Sequence, residues 1–358
     1  MVESRLQFWP PGRWRAAVWM TICLWLLGAA TVETRAAQTG LMKAEFVVDS
    51  PAFDFSHSPS IVETKDGLLA AWVSGTQERA LDVSLWMSRF KDGKWSKPQI
   101  IADGLILDER VRHPVWNPVF FQPKKGPLNL FFKIGPAPES WWGMVMASPD
   151  NGHTWGPPRR LSNNALGPIR SKPIEFKDGS VACGSSTESA GWQVRFERSE
   201  APPFTWWSKS SPLNNAMEFA AIQPVLLPQR NGKLQMLCRT KQGVIAETWS
   251  TNKGVTWGKL QRTSLPNPNG AIDGIVLLEG MSLLVYNHSA TDRSTLDVAT
   301  SPNGENWRSS MVIESQKGGE FSYPSVIQTS DGLVHVVYSW NKRRIKHVVF
   351  DPWQFRTP

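Results

Sequence analysis

The sequence predicts an all-β protein, a six-bladed β-propeller built from four-stranded antiparallel blades. Two observations lead to this architecture. A unit of about 50 residues recurs six times from Phe53 onward, a repeat length typical of propellers and solenoids. Long apolar runs at a helical period are missing from these units, so short strands must build them. Radial repetition of small sheets accommodates such strands and protects their edges.

Residues 1–37 precede the repeats and have the features of a secretory signal peptide. Three arginines stand before an apolar run from Ala16 to Ala30, and small residues follow at Ala36-Ala37. The run is short for a membrane span, so an uncleaved anchor is the weaker alternative. We expect a secreted or periplasmic protein with one mature domain, residues 38–358, and no stable membrane association after cleavage.

Composition excludes several classes of protein. An apolar fraction of 41% over 358 residues can fill a large core, which excludes a disordered chain. The net charge of +8 is spread without a basic block, so nucleic acid is not an expected partner. Cys183 and Cys238 form either one disulfide or, as a fold this large favours, two buried free thiols. No Cys/His spacing indicates a metal, and we expect no cofactor and a monomer.

Each unit opens with a dipeptide that leads into an apolar strand, a glycine-containing turn such as Asp66-Gly67, and a second apolar strand. This pattern predicts tight hairpins. The six dipeptides are Ser58-Pro59, Asn117-Pro118, Lys172-Pro173, Gln223-Pro224, Asp273-Gly274 and Tyr323-Pro324. Five units continue to a tryptophan at a similar place, namely Trp95, Trp155, Trp206, Trp257 and Trp307. The sixth unit is short, and Glu45–Asp49 is expected to supply its outer strand and close the ring.

A turn motif stands before several of these tryptophans. Residues 148–155 read SPDNGHTW, residues 250–257 read STNKGVTW and residues 301–307 read SPNGENW, while SRFKDGKW at 88–95 is a looser version. In such a turn the Asp or Asn accepts backbone N–H bonds, the glycine takes positive φ and the tryptophan fills the gap between strands. The motif therefore predicts a structural staple for each blade.

These motifs, in a chain of six such units, resemble the Asp-boxes (BNR repeats) of the sialidase superfamily, and the resemblance covers roughly residues 53–350. It implies a six-bladed propeller and an exo-acting glycosidase. In that family three arginines hold the substrate carboxylate, a glutamate activates a tyrosine nucleophile, and an aspartate on the first blade acts as general acid and base.

Some family residues have counterparts here and others do not. Tyr323, within Phe321–Ser325, matches the nucleophile motif, while Arg239 and Arg293 resemble the second and third arginines. His57 stands where the first arginine is expected. Gln223 stands where the activating glutamate is expected, and an amide cannot take a proton.

Counting along the hairpins places further polar residues at one rim of the channel, because a hairpin brings the start of its first strand and the end of its second to the same edge. Convergent polar groups at the mouth of a closed fold indicate a small-molecule site. Trp141-Trp142, on a loop leaving this rim, would stack on a sugar or pack between blades. The expected substrate-binding residues are Arg239, Arg293, Lys133, Lys172, Glu188, Gln223, Asn117, Asn287, Trp141 and Trp142.

Glycoside cleavage needs an acid for the leaving oxygen and a partner for the cationic sugar centre. Glu78, on the loop of the first blade, is the expected acid, and Asp82 is the second choice. Tyr323 is the expected nucleophile, and it requires a base close by. Asp273 or His57 is the expected substitute for the missing glutamate.

Glu218 could replace that glutamate only if its strand began five residues earlier. The expected function is an exported exo-glycoside hydrolase, sialidase-like, that cleaves a terminal acidic sugar from a glycan or a smaller glycoside. Two alternatives remain open: a carbohydrate-binding propeller without catalysis, and a related rhamnosidase or lyase that uses His57.

Overall fold

Antiparallel strands joined by tight turns form six small sheets in the computed structural model, which describes residues 40–106 and 110–355. The signal peptide expected at 1–37 lies outside the described residues. Within them, no helix is long and apolar enough to cross a membrane. The sheets are the blades of a six-bladed β-propeller, as predicted.

The strands of blades 1 to 5 run outward from the channel in chain order, and blade 6 takes its outermost strand from the N-terminus. Blade 1 contains β2 (Phe55–Thr64), β3 (Gly67–Gly75), β4 (Ser84–Lys91), β5 (Lys94–Trp95) and β6 (Gln99–Ala102), the last two both pairing with β4. A hairpin of β7 (Leu105–Ile106) and β8 (Val111–Arg112) links it to the next blade. Blade 2 contains β9 (Val115–Phe121), β10 (Leu128–Ile134), β11 (Trp142–Ser148) and β12 (Arg159–Arg160). Blade 3 contains β13 (Ile174–Glu175), β14 (Val181–Thr187), β15 (Gln193–Ser199) and β16 (Trp207–Lys209).

The second half of the chain repeats this arrangement. Blade 4 contains β17 (Ala221–Pro228), β18 (Leu234–Thr240), β19 (Val244–Ser250) and β20 (Gln261–Pro266). Blade 5 contains β21 (Asp273–Val276), β22 (Ser282–Tyr286), β23 (Thr295–Ser301) and β24 (Arg308–Ser315). Blade 6 contains β25 (Phe321–Gln328), β26 (Val334–Trp340), β27 (Arg344–Phe350) and β1 (Leu41–Phe46). Short 3₁₀ turns lie at Ser162–Asn164 and Pro352–Phe355.

The N-terminal strand closes the last blade. β1 pairs antiparallel with β27, with Glu45 opposite His347 and Phe46 opposite Lys346. The closing strand was expected at Glu45–Asp49 and lies a few residues earlier, at Leu41–Phe46. This pairing covers the outer edge of β27, which would otherwise be free to pair with another chain.

The hydrophobic core is divided into layers between neighbouring blades. Side chains of a strand alternate between its two faces, so each blade packs against both neighbours. In β3, Leu69, Ala71 and Val73 pack against blade 2. Leu68, Ala70 and Trp72 pack against blade 6. The free thiols Cys183 and Cys238 are buried in different layers of this kind, so they form no disulfide.

The turn motif staples its blade as the sequence predicts. In residues 148–155, Asp150 Oδ1 accepts the backbone N–H of Thr154 at 2.8 Å, and Oδ2 accepts its hydroxyl at 2.6 Å. Gly152 has a φ of +84° and donates its N–H to the Ser148 hydroxyl at 2.7 Å. These bonds lower the pKa of Asp150 to about 2, with the Thr154 hydroxyl as the largest cause.

Asparagine replaces the aspartate in two other turns without changing the pattern. Asn252 Oδ1 accepts the Thr256 N–H at 2.9 Å, and Asn303 Oδ1 accepts the Asn306 N–H at 2.9 Å. Blade 3 lacks the motif. There Trp206 is 60% exposed, and its neighbour Trp207 is buried beside Phe131 in its place.

Candidate active site

A β-bulge recurs at the X-Pro step of the innermost strands β2, β9, β17 and β25. In each, the register against the neighbouring strand shifts at this step. The residue before each proline takes a positive φ, which L-residues rarely adopt and which costs about 1 kcal/mol or more. These residues are Ser58 (φ 53°), Asn117 (φ 44°), Gln223 (φ 52°) and Tyr323 (φ 55°).

All four bulge residues line one cavity of about 170 Å³ at the mouth of the channel. Strained backbone at a shared position is a common feature of functional sites. The other polar and aromatic side chains that line this cavity are Phe55, His57, Glu78, Arg79, Trp116, Trp141, Glu188 and Arg239. Blades 1, 2, 3, 4 and 6 therefore all contribute to the site.

Positively charged arginine side chains act on Tyr323 in this cavity. Arg239 Nη1 donates to the Gln223 Oε1 atom at 3.1 Å and to the Tyr323 hydroxyl at 3.4 Å. Burial by itself would raise the pKa of Tyr323, but the charges of Arg239 and Arg293, with a hydrogen bond from Gln223, outweigh it and lower that pKa. The arrangement stabilises a phenolate.

Arg170 is a second arginine against Tyr323, and it was not among the residues predicted from the sequence. It is 2% exposed, and its Nη2 donates to the carbonyl oxygens of Tyr323 and Pro324 at 2.5 and 2.7 Å. Its guanidinium carbon lies 5.6 Å from the centre of the Tyr323 ring, and burial lowers its pKa to about 10. Arg170 stands two residues before Lys172, in a bent segment that leads into β13.

His57 packs directly on the nucleophile candidate. Its ring centre lies 4.2 Å from that of Tyr323, with 53° between the planes. Its Nδ1 lies 2.8 Å from the Ser339 hydroxyl oxygen. Burial, and then the charges of Lys342, Arg293, Arg170 and Arg239, hold the pKa of His57 well below its usual value. The imidazole is therefore neutral at physiological pH.

Two carboxylates line the cavity, and they differ in environment. Glu78 forms an ion pair with Lys342 at 3.2 Å. Glu188 follows strand β14 and is half-buried. Burial raises its pKa, and the nearby charge of Glu139 adds to this, although Arg239 and Lys241 oppose it. A raised pKa suits a group that must deliver a proton.

The other carboxylates considered as acids or bases are engaged elsewhere. Asp273 is 1% exposed and accepts bonds from Lys172 Nζ at 2.7 Å and the Val326 N–H at 2.9 Å. Asp82 accepts the Thr76 N–H and hydroxyl at 3.1 Å, which shapes the first-blade loop. Glu218 pairs with Lys259 at 2.8 Å, on the surface.

Arg293 lies near Tyr323 but outside the cavity lining. It pairs with Glu320 at 3.2 Å and donates to the carbonyl oxygen of Asn269 at 2.9 Å. Its charge still contributes to the lowered pKa of Tyr323. A substrate carboxylate that binds Arg293 would therefore compete with Glu320.

Besides Arg293, the structure places four expected binding residues outside the cavity lining. Lys172 forms an ion pair with Asp273 at 2.7 Å. Lys133 is fully buried and donates to the Pro168 carbonyl oxygen at 2.7 Å. Asn287 is fully buried and donates to the carbonyl oxygens of Thr295 and Phe321. Trp142 packs edge-on against His113 at 5.5 Å.

Trp141 is the member of the tryptophan pair that lines the cavity, packed edge-on against Trp116 at 5.8 Å. Trp116 donates its indole N–H to the Gly135 carbonyl oxygen at 2.8 Å, which fixes this aromatic wall. No cluster of three or more side chains suited to hold a metal occurs among residues 40–106 and 110–355.

A six-bladed propeller with stapled blades and a tyrosine under arginines at the channel mouth defines the sialidase-like class of propeller. The chain belongs to the BNR repeat-like domain family, whose model matches residues 66–336. No curated protein matches the sequence.

Solved structures share the fold at low sequence identity. A protein of unknown function from Dyadobacter fermentans is 16% identical, with a TM-score of 0.73 over 87% of this chain and 98% of that one. The Hadza microbial sialidase Hz136 is 16% identical, with a TM-score of 0.69 over 84% and 66% of the two chains. An alpha-L-arabinanase from Penicillium chrysogenum is 15% identical, with a TM-score of 0.65 over 87% and 98%. The fold is thus one that glycoside hydrolases use.

Proposed function

We propose that this protein is an exo-acting glycoside hydrolase that cleaves a terminal acidic sugar. The observation that carries the proposal is the Tyr323 hydroxyl, bound by Arg239 inside the cavity and shifted toward its phenolate form. A phenol serves as a nucleophile when positive charge stabilises its anion. The similarity to sialidase structures supports the same assignment.

In this proposal Tyr323 attacks the anomeric carbon while the glycosidic bond breaks. The phenolic proton passes to water in the cavity. Glu188 protonates the leaving oxygen, because burial raises its pKa and so favours the protonated form that an acid needs. Water then attacks the glycosyl–tyrosine bond, and the Glu188 carboxylate takes the proton of that water. Glu78 is the alternative acid, held by Lys342.

The remaining residues that line the cavity are assigned to sugar recognition. Arg239 would bind the carboxylate of the sugar, since its guanidinium faces the cavity and can offer two donors. Trp141 and Trp116 would cover an apolar face of the ring. The cavity of about 170 Å³ is small, which favours one terminal residue over an internal segment of a chain.

The test is hydrolysis of a panel of chromogenic sialosides, uronides and deoxyhexosides by wild type and Tyr323→Phe. The variant is expected to lose at least about 100-fold in kcat, because the nucleophile is removed while the fold stays. Tyr286→Phe, at a buried tyrosine outside the cavity, is the matched control. A fluorinated glycoside of the cleaved sugar is expected to label Tyr323. Full turnover by Tyr323→Phe would rule out the double displacement.

A second candidate function is carbohydrate binding without hydrolysis. Gln223 favours it, because the residue bonded to Arg239 beside Tyr323 cannot take the phenolic proton. Under this alternative the protein binds acidic monosaccharides but cleaves none of the panel. Gln223→Glu would then gain measurable hydrolysis, whereas an active wild type excludes this alternative directly.

A further inference from the structure

The hydrogen bonds around His57 fix the position of its proton. Nδ1 of His57 lies 2.8 Å from Oγ of Ser339, and the Ser339 hydroxyl donates to the backbone carbonyl oxygen of Ser56 at 3.1 Å. A hydroxyl has one hydrogen, so a Ser339 that donates to Ser56 can only accept from Nδ1. Nδ1 therefore carries the proton of the neutral ring, and Nε2 carries a lone pair.

Burial, together with the charges around His57, keeps the ring from taking a second proton. Four cations act on it, namely Lys342, Arg293, Arg170 and Arg239, and the ring is 5% exposed. Ser339 is fully buried at the end of β26, whereas His57 lies on β2. The bond between them therefore spans the contact of the last blade with the first.

The lone pair of His57 Nε2 is available to a ligand in the cavity. His57 lines the cavity, and no residue in the described part of the chain bonds its Nε2. The ring packs on Tyr323 at 4.2 Å between centres, which fixes its plane. His57 Nε2 is thus a hydrogen-bond acceptor held in a fixed position beside Tyr323.

We propose that Ser339 is a positioning residue that fixes the Nδ1–H tautomer of His57, and that His57 Nε2 accepts a hydrogen bond from a sugar hydroxyl. The inference rests on the proposed function and specifies its substrate. An arginine at this corner would donate to a carboxylate, whereas a lone pair repels a carboxylate and attracts an O–H group. The substrate class is a sugar that presents a hydroxyl to His57 and its carboxylate to Arg239.

The tautomer is tested without any substrate. Full-length protein with ¹⁵N-labelled histidine is analysed by two-bond ¹H–¹⁵N correlation at neutral pH, and His57→Gln assigns the signal among the six histidines. His57 is expected as the neutral Nδ1–H form. Ser339→Ala is expected to add a population of the Nε2–H form, while Ser74→Ala, at another buried serine of this region, leaves the signal unchanged.

An Nε2–H form or an imidazolium in the wild type would overturn the assignment, even if Ser339→Ala failed to fold. An unchanged tautomer in a folded Ser339→Ala would remove the positioning role. Because no hydrolysis is measured, these outcomes do not depend on whether the protein cleaves a glycoside.

Recognition is tested by titrating N-acetylneuraminic acid into wild type and His57→Phe. The variant is expected to bind at least about tenfold more weakly, because its ring can still pack on Tyr323 but no longer offers an acceptor to the sugar hydroxyl. Equal or tighter binding by the variant, or no binding by either protein, would overturn the recognition role of His57. The NMR experiment would still decide the tautomer.

Discussion

Lys133 is a lysine enclosed between two blades, and its replacement by methionine is expected to stabilise the protein at neutral pH. The ammonium group is fully buried, and its hydrogen-bond acceptor is the Pro168 carbonyl oxygen at 2.7 Å. Burial lowers the pKa of Lys133 from 10.5 to about 8, although the charge of Glu197 offsets part of the effect. The folded protein thus holds this proton less tightly than the unfolded chain.

The size of the effect follows from the pKa difference. A shift of roughly 2.5 pKa units corresponds to about 3 kcal/mol. This destabilisation is fully present below pH 8 and disappears as the pH rises through 10.5, where the unfolded chain also loses the proton. Methionine removes this cost but leaves the Pro168 carbonyl without its donor, a loss of about 1–3 kcal/mol.

The Lys133→Met variant is therefore expected to be about 1 kcal/mol more stable than wild type at pH 7 and less stable near pH 11. Urea unfolding of both proteins at several pH values measures the difference. Lys209→Met, on the exposed strand β16, is the matched control and should show no such crossover. A stability difference that stays constant from pH 7 to 11 would refute the reasoning. Ligand binding should be unchanged in Lys133→Met, since this side chain does not line the cavity.

Three further predictions follow from the same structure. Trp155→Ala should cost about 3 kcal/mol through loss of packing against Phe120, with kcat of the folded fraction retained, and urea unfolding with an activity assay checks both. The pKa of His335 is lowered to about 4 by burial and by its neighbouring histidine, so the unfolded chain takes up the proton first and stability should fall as the pH drops from 6.5 toward 4. A folded His335→Gln should lose less in melting temperature between pH 7 and 5, and parallel curves would contradict this. Arg239→Lys should weaken binding of N-acetylneuraminic acid about tenfold or more, because an ammonium group cannot offer a carboxylate the two parallel donors of a guanidinium. Arg293→Lys should weaken it less, since Arg293 is already paired with an acid, and calorimetry that showed no change in either variant would exclude both arginines from carboxylate binding.

The architecture was predictable because the physical constraints repeat. A hairpin with a glycine turn imposes the same geometry in every unit. A ring of six such units protects the edges of their sheets, which favours the propeller. Gly67 illustrates the constraint: its φ is +109°, and a Cβ there would lie 2.2 Å from the Phe90 carbonyl oxygen. Where a unit departs from the repeat, prediction fails. Blade 3 has no turn motif, and Trp207 rather than Trp206 fills the layer.

The site was only partly predictable, because counting gives position along a strand and not the face of the strand. Lys133 follows Phe131 by two residues on β10, so both side chains lie on the face toward blade 3. Leu130 and Phe132, on the other face, pack against blade 1. Arg170 precedes the counted hairpin altogether. It reaches Tyr323 only because the blades converge at the channel, a three-dimensional fact that no local pattern contains.

The shared bulge explains how one repeated hairpin can hold different chemistry in each blade. Proline lacks an N–H group, so the ladder is interrupted at this step whatever the preceding residue is. The preceding residue then takes positive φ and lines the cavity, whether it is a serine, an amide or a phenol. Because the backbone at this position is fixed by the bulge and not by the side chain, Gln223→Glu should change the charge beside Tyr323 without moving the strand. A change in activity in that variant would therefore report on proton transfer at Tyr323 and not on folding.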